Sequence, residues 1–129
     1  MSNHGGRQLD HGRGTLDILP EIVAAVAGRA KIIVDGGFCR GSDVVKAMAL
    51  GADTVGIGRL YCYGLAAAGA DGVRRVLELL EAEVFACLGL LGVNGFNELD
   101  TSYVCPADAV TPPHVLSAFP LISLPVEQY

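Results

Sequence analysis

The chain has 129 residues and a formal net charge of −5, with 51% apolar and 18% charged residues. That length supports one modest core, and the acidic balance excludes global recruitment of nucleic acid. Its apolar runs are broken by charge or proline well short of the ~20 residues of a membrane span. The polar first residues predict no signal peptide. Cys39, Cys62, Cys87 and Cys105 show no metal-ligand spacing and read as reduced thiols of a cytoplasmic protein.

Residues 1–10 (MSNHGGRQLD) place an imidazole, a guanidinium, an amide and paired glycines together. His4 can exchange a proton near neutral pH, and Arg7 offers a planar fork for a carboxylate. Gly5 and Gly6 allow close backbone approach. This set suits a small 2-hydroxy acid, with Arg7 on the carboxylate and His4 as the base. A polar loop with a solvated His and Arg is the plainer reading of the same residues. A cluster this dense normally follows a strand that delivers it, and Met1 stands where that strand belongs.

Leu16, Leu19, Ile22, Val23 and Val26 predict an amphipathic helix over 15–27, capped by Thr15 and bent by Pro20. Residues 31–35 read as a buried parallel strand that runs into Gly36, Gly37, Phe38, Cys39 and Arg40. Ser42 or Asp43 then caps a helix closed by Gly51. Glycines ahead of a helix start expose N–H groups to an anion, although for Gly-Gly alone a ligand-free turn is the favoured reading. Residues 54–58 repeat the pattern, with Gly58 and Arg59 at the end of a second strand. Two such strand ends on one face favour a phosphate site more than either alone.

The strongest predicted helix covers 71–91, with Val73, Val76, Leu77, Leu80, Val84, Cys87, Leu88 and Leu91 on its apolar stripe. Gly92 and Gly95 end it, and residues 94–100 form a turn and short helix. From Cys105 onward, Pro106, Pro112, Pro113, Pro120 and Pro125 predict an extended arm over 105–129. Its Val115, Leu116, Phe119, Leu121 and Ile122 favour packing on something. His11 and His114 read as surface histidines. Cys39 beside Arg40 is a candidate reactive thiol, but a silent substitution is the favoured reading.

Taken together, Ser2–Gln8, Asp35-Gly36-Gly37 with Arg40-Gly41, and Gly58-Arg59 resemble the FMN-dependent 2-hydroxyacid dehydrogenase and oxidase family. The resemblance runs to about Tyr103. It implies that His4 is the catalytic base and that His4 and Arg7 bind substrate. It also implies an FMN phosphate site at Asp35, Gly36, Gly37, Phe38, Cys39, Arg40, Gly58 and Arg59. The family commonly has a second arginine where Cys39 stands, and proline where Leu60 stands.

The implied fold is α/β: the C-terminal portion of a (β/α)8 barrel, supplying its last two strands and their helices over 1–104, plus the arm. Such barrels take about 250 residues. The resemblance therefore implies that the earlier strands, with further flavin and substrate contacts, lie outside this sequence. The expected reaction is oxidation of an L-2-hydroxy acid to a 2-keto acid with reduction of FMN. The alternatives are one chain of a split barrel, or a non-catalytic remnant acting as a structural or binding module. A homo-oligomer or a complementing chain is the expected partner.

Overall fold

The computed structural model of the chain describes residues 1–9 and 12–108, with Arg7 described by its backbone alone. The order is α1 (Gly6–Leu9), α2 (Thr15–Val26), β1 (Ile33–Asp35), α3 (Gly41–Ala49), β2 (Thr54–Gly56) and α4 (Arg59–Leu91). Two 3-10 turns follow, at Phe96–Glu98 and Thr101–Tyr103. Most of the proposed arm, from residue 109 onward, lies outside the described residues, as do His11 and His114.

β1 and β2 pair in parallel, with Ile33 opposite Thr54, Val34 opposite Val55 and Asp35 opposite Gly56. The alternating ladder leaves every second residue of β1 to bond on its other side. There Ser2 forms a parallel bridge with Asp35. The Asp35 N–H donates to the Met1 carbonyl at 2.8 Å, and the Met1 amine donates to the Ile33 carbonyl at 2.6 Å. Met1–Ser2, β1 and β2 therefore run side by side in one direction.

The main core forms where α2 and α3 cover this layer. Leu19 and Val34 are fully buried, and Ile32, Phe38, Ala47 and Ala52 complete the cluster. The predicted stripe of α2 supplies Leu16, Ile22, Val23 and Val26 to the same cluster. A smaller cluster of Val45, Leu88 and Val93 joins α3 to the end of α4.

Several boundaries differ from those expected. Gly14, not Thr15, is the N-cap of α2, and it makes no side-chain cap bond. Thr15 is the first helical residue and is buried against the site loop. Regular pairing in β1 begins at Ile33 because the Ile32 N–H is taken by a side chain, Asp53 Oδ2 at 2.8 Å. β2 ends at Gly56, so Ile57 and Gly58 belong to the connection.

The last helix starts at Arg59 rather than near residue 71, and it is broken at Ala68 (φ −152°, ψ 27°) and Gly69 (φ 59°, ψ −139°). Glycine tolerates the positive φ that this break requires. The two arms touch at Gly64 and Gly72, where a Cβ on Gly64 would sit 2.6 Å from the Gly72 carbonyl. Leu77 and Leu91 of the predicted stripe are exposed, and of that stripe Leu88 alone is buried. Among the described residues, no helix is long and apolar enough to cross a membrane.

Asp53 closes the turn before β2 and ties it to β1. Its second oxygen accepts from Lys31 Nζ at 2.7 Å. The Lys31 and Ile32 bonds hold the Asp53 carboxyl below the usual carboxylate range. A carboxylate with a lowered folded-state pKa stabilises the fold above its ordinary pKa, and that stabilisation fades as pH falls through the lowered value. Acid denaturation followed by circular dichroism is therefore expected to show Asp53→Asn less stable than the native chain at neutral pH. The difference should shrink on acidification below the ordinary carboxylate range.

Candidate active site

Three parallel segments end on one face of the sheet. Met1–Ser2 lead into Asn3 and His4, β1 leads into Gly36 and Gly37, and β2 leads into Ile57, Gly58 and Arg59. Parallel α/β folds hold ligands at this end because the strand-to-helix connections converge there. An open cleft of about 400 Å³ lies among them. It is lined by His4, Asp35, Gly36, Gly37, Cys39 and Arg59, together with Asn3, Gly6, Gly12, Phe38 and Gly58.

The loop after β1 is built on glycine. Gly36 has φ +126°, and a Cβ there would sit 2.5 Å from Asn3 Oδ1 and 3.3 Å from Thr15 Oγ1. Gly37 has φ +82°, yet its Cβ position is open, with no atom within 4 Å. The same holds at Gly58. Gly36 is thus packed from behind while Gly37 and Gly58 leave room for a ligand against bare backbone. Phe38 anchors the loop, being only 4% exposed in the main core.

Two helices begin beside the cleft, and their N-termini differ. At α3, Asp43 Oδ2 accepts from the N–H groups of Cys39 and Arg40 at 3.2 and 3.0 Å. Glu83 Oε2, from α4, accepts from the Gly41 N–H at 2.7 Å. The Gly41 N–H chiefly, and Arg40 with it, hold the Glu83 carboxyl below the usual range against the opposing effect of burial. The start of α3 is therefore already occupied by carboxylates. The start of α4 has no side-chain cap and no acidic residue in its first turn. Such a terminus presents orphan N–H groups and the positive end of the helix dipole.

Arg40 does not line this cleft. Its Nε donates to both oxygens of Glu83, at 2.9 and 3.1 Å, on the wall of an adjoining groove with Leu60, Val76 and Leu79. Arg59 does line the cleft and makes no hydrogen bond or ion pair among the described residues. His4 is exposed at the cleft, with its backbone N–H donating to Ser2 Oγ at 3.2 Å. Ser2 Oγ also lies 3.4 Å from Asp35 Oδ2, which ties the His4 loop to β1. Arg7 stands in α1, and its side chain lies outside what the structure describes.

Sequence reasoning did not single out Gly12 or Glu83. Gly12 has no distinguishing neighbour, and Glu83 lies 42 residues from the N–H it binds. Neither Ser42 nor Asp43 is the N-cap of α3: the helix starts at least two residues earlier than expected, with Arg40 at the cap, and Asp43 sits at the third helical position, where its carboxylate turns back onto the Arg40 N–H.

The donor set suits an anionic group with a phosphate: glycine backbone, an open helix start and the Arg59 guanidinium, which has no partner among the described residues. This is the arrangement of an α/β protein with its ligand site at the carboxyl ends of parallel strands. The chain belongs to the FMN-dependent dehydrogenase family, whose family model matches residues 1–106. It is 49% identical to an L-lactate oxidase of Nostoc sp. over 104 residues, which cover 81% of this chain and 28% of that protein. It is 45% identical to a 2-hydroxyacid oxidase 2 of Rattus norvegicus, over 81% of this chain and 30% of that protein. The chain thus spans less than a third of the length of these relatives.

Among solved structures, a mandelate oxidase mutant with a monooxide FMN adduct matches with 53% identity and a TM-score of 0.71, over 74% of this chain and 31% of that one. An (S)-mandelate dehydrogenase mutant matches with 45% identity and a TM-score of 0.74, over 80% and 29%.

Cys39 takes a different character from that of a reactive thiol. Burial first, and then Asp43, push its thiol pKa up, while Arg59 opposes them. A raised pKa lowers the thiolate fraction. Alkylation at mildly alkaline pH, mapped by mass spectrometry, is expected to modify Cys39 more slowly than the exposed Cys62 and Cys105.

Proposed function

We propose that this chain supplies the catalytic loop and the FMN phosphate site for oxidation of a small L-2-hydroxy acid to its 2-keto acid. The observation that carries the reading is one cleft shared by His4, the Gly36–Gly37 loop and Arg59. Phosphate recognition falls to Arg59, the backbone of Gly37 and Gly58, and the open first turn of α4. Asp35, Gly36, Phe38 and Cys39 shape the rest of that wall, and Arg40 acts behind it through Glu83. Bound FMN supplies the two-electron acceptor.

His4 takes a proton from the hydroxyl-bearing carbon of the substrate or from its hydroxyl. Arg7 holds the substrate carboxylate, a role that rests on the family motif. The fold in which this occurs is a (β/α)8 barrel, with residues 1–104 as its last two strands and their helices, followed by the arm. A cytoplasmic location belongs to the same proposal.

A second reading has its own support. Ile33 is 55% exposed on β1, and Leu9 and Leu65 are also exposed. Exposed Ile33 on a strand of the sheet favours a chain that works against a further copy or a complementing chain carrying the rest of the barrel. In that reading the isolated chain is a cofactor-binding module.

Titration of the purified chain with FMN, followed by flavin fluorescence, tests the site. Binding in the low micromolar range or tighter is expected. Arg59→Ala removes a charge-assisted contact and should weaken it by about 10- to 100-fold. His4→Ala should leave FMN affinity unchanged while lowering hydroxy-acid-dependent flavin reduction by about 10²–10⁴-fold. FMN binding without any reduction would favour the module reading, and a folded chain that binds no FMN would overturn the site assignment.

A further inference from the structure

We infer that Glu83 is a positioning residue for the anion-binding loop, locking the loop's exit onto the helix whose first turn carries Arg59. The inference rests on the flavin-site reading above and extends it to residues outside the cleft.

The geometry is specific. One Glu83 carboxylate receives three bonds: two from Arg40 Nε, at 2.9 and 3.1 Å, and one from the Gly41 N–H at 2.7 Å. An exposed Arg–Glu pair by itself contributes little. This one differs because its carboxylate also satisfies the main chain of Gly41, which is buried. A buried N–H left without a partner is costly. Gly41 also has no room to shift toward α4, since a Cβ there would lie 2.5 Å from both Glu83 Cβ and the Val84 nitrogen. The start of α3 and the second arm of α4 therefore meet almost backbone to backbone.

The loop residue that precedes this junction, Cys39, lines both the cleft and the groove that holds Arg40 and Glu83. The junction thus forms the back of the cleft wall. Arg59, in the first turn of the same helix, α4, also lines the cleft, and its neighbour Leu60 lines the groove beside Glu83. One kinked helix consequently holds the glycine loop through its second arm and supplies the cation from its first turn.

The two acids that hold the loop from behind are both matched by cations, whereas Asp35, in the cleft itself, has only the Ser2 hydroxyl against its carboxylate among the described residues. An unpaired carboxylate behind the loop would repel a phosphate. Glu83 is matched by Arg40, and Asp43, the other acid holding the loop, has Lys46 Nζ at 3.8 Å. Arg40 in this arrangement serves the site indirectly, by neutralising Glu83 and not by touching the phosphate.

Hydrogen exchange by mass spectrometry, combined with FMN titration, tests this on the full chain with Glu83→Ala and Glu83→Gln. Glu83→Ala is expected to raise exchange in the segment containing Cys39–Gly41 by about tenfold, with the rest of the chain unchanged, and to weaken FMN by about tenfold. Glu83→Gln retains an oxygen for the Gly41 N–H and should recover most of both effects. Unchanged loop exchange in Glu83→Ala would overturn the inference. So would exchange raised evenly across the chain, FMN affinity unchanged in Glu83→Ala, or a Gln variant as impaired as the Ala variant. A native chain that binds no FMN would instead overturn the flavin-site reading, and the exchange measurement alone would then decide whether Glu83 holds the loop.

Discussion

Everything at the cleft depends on parallel alignment about β1. Val34 is fully buried between α2 and α3, so the strand that carries it cannot shift without opening the core. A slip of one residue would turn Val34 outward and bring exposed Ile33 inward. With β1 held, its two neighbours are held by backbone bonds, Met1 to Ile33 and Asp35 on one side, β2 on the other. All three segments then end at the same level. His4, Gly37 and Arg59 are distant in sequence, yet they reach one cavity because parallel strands discharge their connections on one side.

Within that cavity the two helix starts divide the work. Both have the electrostatic capacity to hold an anion. α3 uses its capacity internally, on Asp43 and Glu83, and so becomes a rigid support. α4 begins after Gly58 with neither a side-chain cap nor an acid in its first turn, and so leaves its first N–H groups without a side-chain acceptor. The division also explains why Arg40 and Arg59, each next to glycine, have different surroundings. Arg40 sits within reach of Glu83, while Arg59 faces open cleft. Cys39 lies between them, half-buried, with its thiol disfavoured from ionising.

Much of this was legible residue by residue. The 3.6-residue stripe of α2 and the β-branched run ending at Asp35 report local periodicity, which folding preserves. The motif at residues 2–8 carries the family resemblance because its residue types are distinctive in themselves, and His4 from it does line the cleft. The exact start of helices was less legible. Thr15 has the composition of a cap, but its side chain is taken up in packing against Gly36 and Gly14 caps instead. The break at Gly69 was not anticipated either, because glycine and alanine repeat through 64–72 without a marked period.

The sequence by itself determined the family, the residue types at His4, the glycines and Arg59 on which the proposed chemistry rests, and most of the elements that bracket them. These depend on residue type and near neighbours, which the chain order states outright. Only the tertiary structure decided which charges meet. Arg40 and Asp43 are close in sequence to the glycine loop, whereas Glu83 comes to it from a helix that first has to bend at Gly69 and pack on Gly41. Pairing between charges is a matter of distance after folding, and distance across 42 residues is set by the core and not by any local pattern.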